Sequence, residues 1–372
     1  MKQRTFQRTI GFLAFVALLA PLAQASAGAA KKGIAGDWQV TVDFEGRKMT
    51  SILSFSEDKE GKLTGKWISF WGVTELRDLT YEGKQLSFLQ VYQMGENETR
   101  VNFAGTIEKQ KLSGVLSSDR GESKVEGKRI VPMPAAMGGW EMKVKAGDRE
   151  FTGTLIIKAD KEDDPNAPST NLLSSGAEAQ SIGDSRAPDT ASASAGRLVR
   201  GGAGKLVGEW KSERGEHEIT DVSFKGGKLS FTRKSKIDDR QWESTFAGTV
   251  KGHTLSGVFK SERGESTAEG TRIGAALVGK WELEITSERG TRTQLLQVNP
   301  DLSGFYGSTA VKKVDLKDGQ AAFNIALEFG EQKFEIDFKG KLEDNKLTGE
   351  LTTSRGTQKV TGKKVVPAAK KG

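Results

Sequence analysis

Cysteine is absent from all 372 residues, which excludes disulfides, thiol nucleophiles, cysteine zinc sites, iron–sulfur clusters and a cysteine-linked lipid anchor. Histidine occurs only twice, at His217 and His253, too few for an imidazole metal centre. Proline is scarce, at 8 residues, and the apolar fraction is a low 35%. No apolar run reaches the roughly 20 residues that a helix needs to span a bilayer. The formal net charge is only +7, and three of its cations, Lys2, Arg4 and Arg8, lie in a leader segment, so no nucleic-acid partner is expected. What the chain has in excess is glycine, at 45 residues, which fits many tight turns between short strands.

The leader is read first. Lys2, Arg4 and Arg8 precede the apolar run Ile10–Leu22, broken near its end by Pro21. Ala23-Gln24-Ala25 and Ala25-Ser26-Ala27 follow, the small-x-small pattern of a cleavage site. Residues 1–27 are therefore expected to be a secretory signal peptide, which places the mature protein in a periplasm or outside the cell.

Set against itself, the chain repeats. Residues 62–130 align with 205–273 without a gap: Trp67 falls on Trp210, Glu75 on Glu218, Asp78 on Asp221, Phe88 on Phe231, Phe103 on Phe246 and Gly114 on Gly257. A third copy ends the chain, with Phe338-Lys339-Gly340 matching Phe103-Ala104-Gly105. Each copy has its own opening, at Gly36-Asp37-Trp38, Gly138-Gly139-Trp140 and Gly279-Lys280-Trp281. The expected units are 34–130, 138–273 and 278–365. The Ser/Ala/Gly/Asp-rich stretch of about 159–204 interrupts the middle unit, so it reads as a disordered insertion in a hairpin loop and not as a boundary.

Within a unit the period is two: Trp38, Val40 and Val42 alternate with Gln39, Thr41 and Asp43. Such runs recur every 8 to 12 residues, separated by turn signals such as Glu82-Gly83, Arg120-Gly121 and Gly226-Gly227. The first unit counts eight of them. The expected fold class is all-β: three tandem antiparallel meander units, drawn as small eight-stranded barrels with one long disordered loop, since closure hides sheet edges. Open or sandwich-like sheets with the same meander are the alternative.

Gly-x-Trp on the first strand of each unit, with a basic residue ending the last strand (Arg129, Arg272, Lys364), resembles the lipocalin and avidin-like, or calycin-like, small barrels. The resemblance implies structural pairs at a closed barrel end, Trp38 with Arg129, Trp140 with Arg272 and Trp281 with Lys364, each basic group stacking on an indole. The units are also similar to glycine-rich β repeats of secreted proteins of environmental bacteria, some of them attached to amidohydrolase domains. This chain carries no amidohydrolase metal motif, and the units lack the cysteines and helix of lipocalins.

No catalytic residue, metal site or cofactor is expected. His253 lies in a hairpin turn, and His217 stands where the first unit has Thr74. The paired carboxylates Glu75/Asp78 and Glu218/Asp221 would suit acid/base work or a hard cation, but residues three apart on a strand face opposite ways unless a bulge intervenes. Ser-Glu-Arg-Gly, at 212–215, 261–264 and 287–290, falls in different hairpins and reads as turn chemistry. Trp71, next to Phe70, and Trp242 stand where the sister unit has Arg214, Glu213 and Thr99; these three aromatics are the candidate ligand-binding residues. The leading function is a secreted, non-enzymatic binding or scaffolding protein whose modules face a cell-envelope polymer, a small apolar ligand or a protein partner. A hydrolase using the carboxylates and an inert spacer are the alternatives.

Overall fold

In the computed structural model every regular element among the described residues is a strand. The structure describes residues 33–160 and 204–366, apart from 45–46, 59, 95–96, 214, 238–239, 289 and 330–331. The leader and nearly all of the interrupting segment lie outside the described residues. Among those described, no helix is long and apolar enough to cross a membrane.

The first unit comprises β1 (Gly36–Phe44), β2 (Arg47–Glu57), β3 (Leu63–Ile68), β4 (Val73–Glu82), β5 (Gln85–Met94), β6 (Asn97–Glu108), β7 (Lys111–Ser118) and β8 (Gly121–Arg129). Each strand pairs with its successor, and β8 returns to β1 with Trp38 opposite Arg129, closing a barrel. The second comprises β9 (Gly138–Ala146), β10 (Arg149–Ala159), β11 (Leu206–Lys211), β12 (Glu216–Lys225), β13 (Lys228–Ile237), β14 (Arg240–Lys251), β15 (Thr254–Ser261) and β16 (Gly264–Arg272), closed in the same way. Here β10 pairs directly with β11, from Thr154 opposite Lys211 to Ala159 opposite Leu206, so the long segment leaves and re-enters at one hairpin.

The third unit has nine strands: β17 (Gly279–Ser287), β18 (Gly290–Val298), β19 (Gly304–Tyr306), β20 (Thr309–Val311), β21 (Asp315–Lys317), β22 (Gln320–Phe329), β23 (Gln332–Glu343), β24 (Lys346–Thr353) and β25 (Gly356–Lys364). They form one curled sheet ending in β20 and β21. The count differs from eight because three-residue strands replace the third and fourth strands of the sister units. The short β19 meets β18 only at residues 296–298, so the first half of β18 has no strand on that side.

One core recipe recurs in all three. Phe88 stacks on Phe103 (4.6 Å), Phe231 on Phe246 (4.8 Å) and Phe323 on Phe338 (4.9 Å). The second ring of each pair lies over a glycine pair on adjacent strands, Gly105/Gly114, Gly248/Gly257 and Gly340/Gly349. A Cβ on Gly105, Gly248 or Gly340 would sit 2.5 Å from the ring's Cζ, so the ring occupies the side-chain space that these glycines leave empty.

The repeated aspartates have a backbone explanation. Register shifts between Arg77 and Thr80 in β4 and between Thr220 and Ser223 in β12 mark bulges, with Asp78 at φ 50° and Asp221 at φ 55°. Aspartate tolerates this left-handed conformation better than most residues, which accounts for its recurrence.

Candidate functional site

Each unit has a plugged end and a mouth opposite it. At the plug the indole Nε1 donates to the carbonyl four residues back: Trp38 to Ile34 (2.9 Å), Trp140 to Ala136 (2.9 Å) and Trp281 to Leu277 (2.7 Å). A cation from the last strand lies over each ring, Arg129 at 5.5 Å, Arg272 at 4.1 Å and Lys364 at 5.4 Å. The same cations satisfy carbonyls of the entering chain: Arg129 at Gly33 and Ala35, Arg272 at Ala135 and Met137, Lys364 at Ala276. Burial pushes the Arg272 guanidinium down to about 10, partly offset by Asp301. These six residues are buried or capped by backbone, so they form structure and not a surface for ligand. His253 sits in a turn at the plugged end of the second unit, its imidazole pKa lowered by burial and by Arg272 and Lys364.

The mouths lie at the other end, and counting inward positions shows what faces them. In the first barrel Ser51, Gln90 and Ser123 are buried above the aromatic core, with Met49 and Tyr92 exposed at the rim. In the second, Ser235 and Ser244 are buried, Arg233 and His217 share their level, and Phe151 (40% exposed) and Trp242 stand at the rim. Arg263, from the β15–β16 turn, lies 5.1 Å over the Trp242 ring.

The second mouth has the most chemistry. The pairing registers set His217, Ser235 and Trp242 side by side across β12, β13 and β14. The His217 ring is bound at both nitrogens, Nε2 with Ser212 Oγ and Nδ1 with Ser235 Oγ, each at 2.9 Å. Sequence alone had paired no serine with a histidine; the β11–β12 turn and the adjacent strand bring both hydroxyls to the ring. Below it, Arg233 lies 4.7 Å over Trp210 and 4.2 Å over Phe259. Burial pushes this guanidinium to about 10, and its Nε has no hydrogen-bond partner. Sequence reasoning passed over Arg233, although counting by twos from Phe231 places it on the inward face.

The same three strands carry an open groove of about 550 Å³, with His217, Ser235 and Trp242 in its lining. Glu216, Glu218, Lys234, Lys236, Gln241 and Glu243 line it with exposed side chains. Their alternating charges are solvated. Among the described residues no group of three or more histidines, cysteines or acids could hold a metal ion. Glu75 is exposed and paired to Lys66 at 3.4 Å, while Thr220 donates to Asp221 at 3.0 Å.

Phe70 and Trp71 are placed differently from Trp242. They occupy the β3–β4 turn, which reaches the third unit beside the half of β18 that lacks a strand. Gln294, 0% exposed, donates from Nε2 to the carbonyls of Ser69 (3.1 Å) and Phe70 (2.9 Å). The Phe70 ring packs against the third unit's core, and Arg292 reaches the Trp71 carbonyl at 3.4 Å. Around this turn Ile52 and Ile68 form a cluster with Phe305, and Lys280 binds both carboxylate oxygens of Asp37 (2.8 and 2.7 Å). Phe70 is thus committed to docking the first unit on the third, while Trp71 leaves its ring 69% exposed. The second unit touches the third through Arg272 and the Pro300 carbonyl (3.2 Å).

Replacing Phe70 by glutamate, its counterpart in the second unit, is expected to cost about 2–3 kcal/mol by losing an apolar burial and adding an unpaired charge. Limited proteolysis of the full chain checks this: cleavage between units should accelerate. An unchanged digestion pattern would show that the turn does not hold the units together.

Ser-Glu-Arg-Gly also has a local role. Ser261 Oγ accepts from Arg263 N (3.2 Å), and Ser261 and Ser287 hydroxyls donate to Gly264 and Gly290 carbonyls (3.3 and 3.2 Å). Gly264 and Gly290 have φ of 111° and 118°. The motif closes hairpins. All of these turns lie at the mouth end.

No family model and no curated protein matches the chain. Among solved structures it is similar to a candidate outer membrane protein from Bacteroides fragilis (14% identity, TM-score 0.22, covering 65% of this chain and 98% of that one). It is similar to a protein of unknown function from Nostoc punctiforme (10%, TM-score 0.19, covering 90% and 98%). A double mutant of the vaccine antigen transferrin binding protein B from Haemophilus parasuis also matches (13%, TM-score 0.17, covering 88% and 74%). Overlaps this slight carry no argument about ligand or partner. Small antiparallel barrels in tandem are compatible with a calycin-like fold, and the functional reading rests on the geometry of this chain.

Proposed function

We propose that this protein is a secreted, non-enzymatic binding protein of the cell envelope or exterior. In this reading the first and third units form a docked frame, and the mouth of the second barrel faces the ligand. The observation that carries it is the layer at that mouth: an inward arginine, a histidine held by two hydroxyls, and aromatic side chains at the rim. Nothing in the repeat requires these groups, since the first unit has Gln90, Thr74 and Thr99 at the positions of Arg233, His217 and Trp242. The third unit's corresponding space receives the Phe70 turn instead. Partner classes that suit the rim are a cell-envelope polymer, a small apolar molecule or a protein segment.

Tryptophan fluorescence and thermal shift of the mature chain against glycans, peptidoglycan fragments, fatty acids and hydrophobic dyes test the reading. A saturable response is expected, weakened at least tenfold by Trp242→Ala with the melting temperature unchanged. A response that survives Trp242→Ala but disappears with Trp71→Ala would move the site to the first unit. Silence across the panel from a cooperatively melting protein would favour the spacer.

A further inference from the structure

The second barrel holds a cation that no carboxylate among the described residues pairs with. Arg233 Nε has no hydrogen-bond partner, and the ring contacts of the guanidinium are Trp210 and Phe259. Among the described residues of β9–β16 no aspartate or glutamate with a pairing partner falls in the inward register, and Asp221, which has none because it sits at the β12 bulge, is exposed. A partly buried charge without a partner works against the fold, and such a group is a candidate for use by a ligand. The repeat makes the comparison internal: Gln90 stands at this position in the first unit and Ile325 in the third, and both units build the same phenylalanine stack beneath it. The fold therefore does not need an arginine here.

Resting on the reading of this mouth as the ligand-facing site, we infer that it is an anion site for a small carboxylate with a flat apolar body. The carboxylate meets the Arg233 guanidinium, whose planar donors suit two oxygens at once. The body lies against Trp242 and Phe151 at the rim, where both rings are incompletely buried. Arg263, stacked on Trp242, adds a second cation beside the entrance. An inorganic oxyanion would satisfy the guanidinium but leave the rim aromatics unused, so the apolar body belongs to the assignment.

Benzoate, its neutral isostere benzamide, and inorganic phosphate are titrated into the full chain and into Arg233→Gln and Arg233→Ile, which install the sister residues. Tryptophan fluorescence reads binding and calorimetry reads the melt. Benzoate is expected to give a saturable change, with benzamide and phosphate each at least tenfold weaker. Both variants should weaken benzoate at least tenfold, which corresponds to about 1.4 kcal/mol, while their melting temperature holds or rises because a partly buried, unpaired charge is gone. Equal binding of benzoate and benzamide, or benzoate binding unchanged by either variant, overturns the inference. So does unfolding of the second barrel in both variants, which would make Arg233 a packing residue. Phosphate binding as tightly as benzoate overturns the apolar body. No benzoate response alongside a panel ligand lost on Trp242→Ala removes the anion inference and leaves the ligand-facing mouth standing; loss of both fails the wider reading.

Discussion

Trp140→Ala is expected to cost the second unit about 3–5 kcal/mol, the range for emptying a buried aromatic site. The indole is 0% exposed and plugs the barrel at the end opposite its mouth. Its removal leaves the Ala136 carbonyl without its donor and takes the ring from beneath Arg272, which is itself 3% exposed. Arg272 also ties the unit to Pro300 of the third, so the loss should spread to that contact. Hydrogen exchange of the amides of β9–β16 in the full chain measures it. Trp140→Phe keeps most of the volume but not the hydrogen bond, so it should lie between the two. A loss below about 1 kcal/mol for Trp140→Ala would show that the plug is dispensable.

Gly257→Ala is expected to cost about 3 kcal/mol, at the upper end for forcing extra volume into a packed core. The new Cβ would lie 2.5 Å from the Ala247 carbonyl oxygen, 2.6 Å from the Gly248 Cα and 2.6 Å from the Phe246 Cζ. Two of these obstacles are backbone of the neighbouring strand, and the third is a ring stacked on Phe231, so none can swing aside. Gly226→Ala is the control, because its φ of 56° is unfavourable for alanine while nothing lies within 4 Å of the new Cβ. That change should cost only about 1–2 kcal/mol. Urea unfolding followed by hydrogen exchange in the second unit separates the two. Equal costs would mean that the glycine pair serves the backbone conformation and not the phenylalanine.

The difference between these glycines shows what was legible along the chain. Both were visible as residues, one in a turn signal and the other in a recurring Leu-Ser-Gly, but only the fold shows that the second makes room for a ring on the neighbouring strand. Asp78 and Asp221 are similar: the repeat exposed them, and a reader of carboxylates asks about acid/base chemistry, whereas the backbone at each is left-handed and the strand bulges there. Trp38, Trp140 and Trp281 could be matched to the cations that lie over them because each pair is anchored to the two ends of its own unit. Arg233 was within reach of counting by twos, but only the fold shows that it lies over Trp210 and Phe259 with no partner for its Nε. His217 needed Ser212 and Ser235, which register alone brings to it.

By itself the sequence determined the properties that arise from neighbours and from repetition: strands from period two, hairpins from glycine turns, three units from internal matching, an all-β class from the absence of helical periodicity. These are local, because a strand's pleat and a turn's φ depend on a few adjacent residues. The tertiary structure decided that the third unit's mouth is covered. Phe70 and Gln294 are 224 residues apart, and no pattern in either neighbourhood announces that one covers the other. It also decided closure, since two barrels join first strand to last while the third curls around three short strands and accepts a turn from the first unit. Both outcomes depend on how sheets twist and where their edges meet, a sum over many residues that no single stretch encodes.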